Sequence, residues 1–127
     1  MGTSLKMMFL VCTNRQELCY TGSIKFTEVI IMVRHVIMWK FRAGEEENMH
    51  KFLSGLQSLD GVIPEILRME IGVNCKDGNN YDACLIADFA DFEALSRYKN
   101  DPRHVAVSSL CKSIREARGA VDYIVED

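Results

Sequence analysis

At 127 residues, 48% of them hydrophobic and 26% charged, the chain has the balance of one ordinary globular domain, neither disordered nor fibrous in composition. A net charge of -3 without any run of Lys or Arg leaves nothing to track a phosphate backbone, so nucleic acid is not an expected partner. No apolar stretch approaches the ~20 residues that cross a bilayer, and the five cysteines, Cys12, Cys19, Cys75, Cys84 and Cys111, show neither CxxC pairing nor zinc-ligand spacing, which suits a reducing, cytoplasmic setting with no metal and no cofactor.

Residues 1–31 have no clean period. Lys6 followed by the apolar residues 7–12 is too short for a secretory signal, and Lys6 itself stands where a myristoylation motif wants Ser or Thr. The expectation is an amino-terminal extension, 1–31, followed by a domain over 32–127. The extension is either an over-extended start upstream of a true initiator at Met32 or a genuine segment adding a strand through residues 27–31.

From Val33 the elements are legible. Val33, His35, Ile37, Trp39 and Phe41 alternate with Arg34, Val36, Met38, Lys40 and Arg42, a period of two that predicts a strand ending before Gly44. Met49, Phe52, Leu53 and Leu56 then fall on one helical stripe, with Glu45, Glu46 and Glu47 in the first turn, where the positive helix end favours carboxylates. Asp60 and Gly61 close that helix. Pro64 opposes its continuation, and Met69, Ile71 and Val73 alternate as a second strand. The turn formers at 76–80, with their Asp-Gly pair, return the chain into a strand over 81–89. Asp91 opens a short helix carrying Phe92 and Leu95, interrupted at Asp101 and Pro102 and resumed with Val107, Leu110, Cys111 and Ile114. Gly119 is expected to punctuate before a last strand at 120–125.

The order β-α-β-β-α-β is the ferredoxin-like α+β arrangement, a four-stranded antiparallel sheet with helices on one face. Val36 and Met38 leave the other face partly apolar, so a homodimer through the open sheet face is expected, with a monomer covered by the extension as the alternative.

The informative stretch runs from Tyr98 to Val105. Six residues apart on an unbroken helix, Tyr98 and His104 would point about 120° away from each other. Asp, a favoured N-cap, and Pro, a favoured first helical residue, supply the break at 101–102, which puts His104 third in the new helix. The positive helix end there disfavours an added proton, so His104 is expected neutral and able to act as a base. It lies three residues before Val107, on the inward stripe. His35 shares its phase with Ile37, Trp39 and Phe41, so it belongs on the same side of the sheet, and Ile37, Trp39, Phe52 and Val107 are expected to line the pocket.

The remaining polar residues read as ordinary structure. Glu45, Glu46 and Glu47 form a solvated first turn, His50 lies off the apolar stripe, and Asp77, Asn79 and Asn80 lack the acidic twelfth position of a calcium loop. Cys84 and Cys111 read as small core residues, and Trp39, Phe41, Phe52, Phe89 and Phe92 as core aromatics.

Taken together, His35-Val-Ile-Met-Trp-Lys-Phe, the apolar strand at 82–89, Tyr98-Lys-Asn-Asp-Pro-Arg-His104-Val and Val121-Asp-Tyr123 resemble the stress-responsive α/β-barrel (Dabb) domain over nearly all of residues 32–127. That resemblance implies a dimeric α/β barrel. A plant member, olivetolic acid cyclase, performs a cofactor-free aldol cyclisation with a tyrosine and histidine pair matching Tyr98 and His104, and its opening-strand histidine matches His35. Members often carry a second histidine where this chain has Asp101, which removes one imidazole and makes metal ligation doubtful.

Two functions follow. One is a stress-responsive Dabb-domain protein acting as a cofactor-independent cyclase or lyase on a small carbonyl or polyketide-like substrate, with His104, Tyr98 and His35 as catalytic residues. The other is a non-catalytic dimer, stress-related or binding a small ligand. A cavity of several hundred Å3 reaching His104 favours the first, and a filled interior the second.

Overall fold

The computed structural model describes residues 31–126. The suggested strand before Ile31, the starting methionine, Cys12 and Cys19 lie outside the described residues. The compact unit is Met32–Val125. Its elements are β1 (Ile31–Phe41), α1 (Glu46–Gln57), β2 (Arg68–Val73), β3 (Ala83–Phe89), α2 (Phe92–Asn100), α3 (Pro102–Ile114) and β4 (Arg115–Glu126).

The sheet order is β2-β3-β1-β4. β1 and β2 each pair antiparallel with β3, and one row of the register runs Met69, Ala87, His35. β4 lies antiparallel on β1, because Arg42 donates its N–H to the Ile114 carbonyl at one end while His35 meets Asp122 at the other. This is the ferredoxin-like order expected from the periodicities, with the second helix divided into α2 and α3. The helices cover one face. There the alternating residues Val33, His35, Ile37, Trp39 and Phe41 of β1 and Ala83, Leu85, Ala87 and Phe89 of β3 are all buried, against Phe52 and Leu56 of α1. Ala87 matters locally, because a small side chain beside His35 leaves the imidazole room to lie on the sheet.

α1 and α3 approach closely at Gly55, where an added Cβ would meet the Val107 methyls at 3.3 Å. Gly44 and Gly78 sit at positive φ, +86° and +90°, ending β1 and turning the β2–β3 hairpin, conformations that side chains with a Cβ resist. No helix among the described residues is long and apolar enough to cross a membrane.

The opposite face carries Arg34, bound bidentately to buried Asp88 at 2.8 and 3.0 Å. Around them lie Val36 and Ile86, half-buried, and Met38, Val121 and Tyr123, exposed.

Three expectations need correction. β4 starts at Arg115, directly after α3, and Gly119 lies inside it. Arg115 turns the chain by adopting extended dihedrals (φ -84°, ψ 150°), so no glycine is needed there. Phe92 is 53% exposed because it opens α2 off the stripe carried by Ala94, Leu95 and Tyr98. Cys84 is only half-buried, since it falls out of phase with Leu85 and faces the open side opposite Met38.

Candidate functional site

The site is built around the helix break. Asp91 caps α2 by accepting the Ala94 N–H at 2.8 Å. Asp101 ends α2 in an extended conformation (φ -64°, ψ 131°) and caps α3 through the Arg103 N–H, with Pro102 opening the new helix. Hydrogen bonds from the Arg103 side chain and backbone hold the Asp101 carboxyl down at about 2, so the cap stays ionised across the physiological range.

The break turns His104 back over Tyr98, with ring centroids 4.4 Å apart and planes tilted by 47°. His104 Nδ1 lies 3.1 Å from the Lys99 carbonyl oxygen. A carbonyl only accepts, so Nδ1 carries the proton and Nε2 keeps a free lone pair. Burial lowers the His104 pKa, against the Lys99 hydrogen bond that favours the charged form, and the charges of His35, Lys99 and Arg118 lower it further. The neutral state expected from the helix end is thus produced first by desolvation.

Tyr98 is 1% exposed and its hydroxyl has no hydrogen-bond partner among the described residues. Its ring packs on Phe89 at 5.0 Å. Burial pushes the phenol far up, so it remains a proton donor. Buried hydroxyls are nearly always bonded, and this one lines the cavity, where a water or a ligand oxygen can meet it.

His35 is 3% exposed, and its Nδ1 lies 2.6 Å from Asp122 Oδ1. The carboxylate fixes the ring with Nδ1 as donor and leaves Nε2 as acceptor. Burial and the Asp122 carboxylate oppose each other on this imidazole. Burial prevails, and the pKa is lowered.

The three side chains share one cavity of about 50 Å3, whose walls include Ile37, Trp39 and Phe52. Trp39 and Phe52 meet edge to face at 5.0 Å. Val107 is not among the lining residues, because it points at Gly55 of α1. The volume is well below the several hundred Å3 set out above. It has room for about three or four water molecules. Larger hollows of about 400 and 530 Å3 lie beside Met38 and Tyr81, and beside Lys40 and Glu46, but neither contains the histidines or Tyr98.

Three contributors escaped sequence reasoning. Asp122 was legible only as strand, although an acid between Val121 and Tyr123 on an inward phase was the available signal. Lys99 and Arg118 also reach the cavity. No cluster of three or more metal-binding side chains occurs among the described residues. Two imidazoles with free Nε2 atoms beside an unpaired phenol can accept a proton and donate one to a developing oxyanion without a further group.

Comparison with known proteins agrees with this architecture. The profile of the Stress responsive A/B Barrel Domain matches residues 33–125. A dimeric protein of unknown function and ferredoxin-like fold from Bacteroides fragilis superposes with a TM-score of 0.68 at 27% identity, over 72% of this chain and 94% of that one. A Dabb family protein from Mesorhizobium loti gives 0.62 at 24% identity, over 73% and 95%. The hydroxynitrile lyase of Passiflora edulis gives 0.66 at 12% identity, over 74% and 93%. No match was found among curated proteins.

Proposed function

The chain belongs to the stress-responsive A/B barrel domain family, and from that premise and the geometry of its cavity we propose that it is a cofactor-independent lyase or cyclase acting on a small carbonyl compound. The observation that carries this reading is the Tyr98 hydroxyl, buried without a partner among the described residues, on a ring stacked against that of His104, whose Nε2 is free. His104 Nε2 removes a proton alpha to the substrate carbonyl. As that C–H bond breaks, its electron pair moves into the enolate and the Tyr98 O–H donates to the enolate oxygen. His35, oriented by Asp122, accepts a hydrogen bond from a substrate hydroxyl or takes part in the second proton transfer. The enolate then attacks a second carbonyl, closing a ring, or expels a leaving group from the neighbouring carbon. Related folds accommodate lyase chemistry, since the Passiflora edulis neighbour is a hydroxynitrile lyase.

The small cavity favours a second reading. Space of about 50 Å3 admits the reacting end of a ligand but not a whole drug-sized one, which suits a non-catalytic dimer whose polar residues serve only a stable interior. In both readings the chain pairs with a second copy through Met38, Val121 and Tyr123 on the uncovered sheet face, as the Bacteroides fragilis neighbour is described as dimeric. Light scattering of the wild type and Met38→Lys tests the pairing. A monomeric wild type overturns it.

Catalysis is tested by following loss of the alpha C–H signal of small ketones, oxo acids, esters and thioesters in D2O by NMR. The wild type is expected to accelerate exchange for at least one class, and His104→Gln to abolish it. If no member of the panel exchanges faster than in buffer, the second reading stands instead.

A further inference from the structure

We propose that the substrate of this site carries an anionic group, carboxylate or phosphate, held at the cavity mouth by Lys99 and Arg118 while its carbonyl reaches Tyr98. The inference rests on the carbonyl-site reading above and adds the charge of the ligand. Of the described residues that line the cavity, Lys99, Arg115 and Arg118 are cationic and none is a carboxylate. Asp122 on β4 is bound to His35. Lys99 and Arg118 are exposed and have no ion-pair partner among the described residues, whereas Arg97 pairs with Glu65 and Arg103 with Asp101 on the same helical layer. Both cations lie close enough to act on His35 and on His104 alike. Arg115 instead reaches back to the Cys111 thiol.

The chain as a whole is acidic, with a net charge of -3, so a concentration of cations around the buried Tyr98 phenol is not a reflection of composition. Such a rim has a chemical use. A cation pair at the entrance draws in an anion and fixes the orientation of a short molecule whose other end enters a cavity of about 50 Å3. It also stabilises the enolate formed beside it.

The test compares each ketone anion with its neutral ester on the full chain. The probes are pyruvate, acetoacetate and levulinate, each against its methyl ester, with dihydroxyacetone phosphate against dihydroxyacetone as the phosphate arm. Affinity is read from ligand-detected NMR titration. At least one anion is expected to bind tenfold or more tightly than its neutral partner, with the ratio falling toward one in 0.5 M NaCl and in the double variant Lys99→Met, Arg118→Gln. Preference in the carboxylate arm or the phosphate arm identifies the group. If anion and ester bind equally, the charge assignment is wrong and the carbonyl site survives. If an anion binds preferentially but the double variant leaves the ratio intact, these two residues do not hold it. If no probe binds and none exchanges its alpha protons, both readings fall together.

Discussion

Replacing Tyr98 by Phe isolates one atom. The hydroxyl is buried without a partner among the described residues, and its ring lies 5.0 and 4.4 Å from those of Phe89 and His104, so the substitution keeps the ring and its packing. A buried polar group without a partner costs about 1–3 kcal/mol, and Tyr98→Phe is therefore expected to stabilise the fold by about 1 kcal/mol. In a domain of roughly 100 residues that raises Tm by about 4–8 °C. The same change removes the donor to the enolate oxygen and should slow alpha-proton exchange by about 10²–10³-fold, the range typical of losing one oxyanion donor. Urea unfolding at pH 7 and fixed protein concentration measures the first effect, and NMR exchange in D2O the second. A variant less stable than wild type by more than about 0.5 kcal/mol would show that the hydroxyl is bonded in the native protein, and the reasoning that makes it a catalytic donor would fail. A variant more stable and fully active would fail it from the other side.

Both cavity imidazoles, His35 buried and His104 half-buried, have lowered pKa values, so the unfolded chain binds more protons than the folded one as pH falls through and below the ordinary histidine value near 6.5. Stability is accordingly full above that value and declines toward pH 5, and urea titrations of His35→Asn and His104→Asn should each show a flatter decline. Asp122→Asn removes the charge that opposes burial at His35 while keeping a similar shape, so the His35 pKa should fall further. Imidazole NMR titration reads it, and an unchanged or higher value contradicts the assignment. Gly55→Val places bulk where a single added Cβ already comes within 3.3 Å of Val107, and overpacking of this kind costs about 1–3 kcal/mol. An unchanged urea midpoint would mean that α1 and α3 can separate freely.

The sequence by itself determined the elements and the place of the break. Period-two alternation in β1 assigned His35 to the helix side of the sheet, because successive strand residues must point to opposite faces. Asp101 and Pro102 stopped one helix and started another, because a side-chain cap and a ring without an N–H leave few other solutions. Those local rules also explain the errors. Gly119 looked like a boundary because glycine often is one, yet dihedrals at Arg115 had already turned the chain. Phe92 looked like core because its type suits core, yet one helical phase decides its side.

Distances between remote elements obey no such local rule. Asp122 stands 87 positions beyond His35, and only the pairing of β4 with β1 brings its carboxylate to 2.6 Å from the ring. The unpaired state of the Tyr98 hydroxyl likewise depends on every side chain that packs around it and on none of its chain neighbours alone. The close approach of α3 to α1 turns Val107 to Gly55, and the cavity it leaves is about 50 Å3. Such a volume is a residue of packing, the small space remaining when large side chains meet, and no pattern along the chain encodes it.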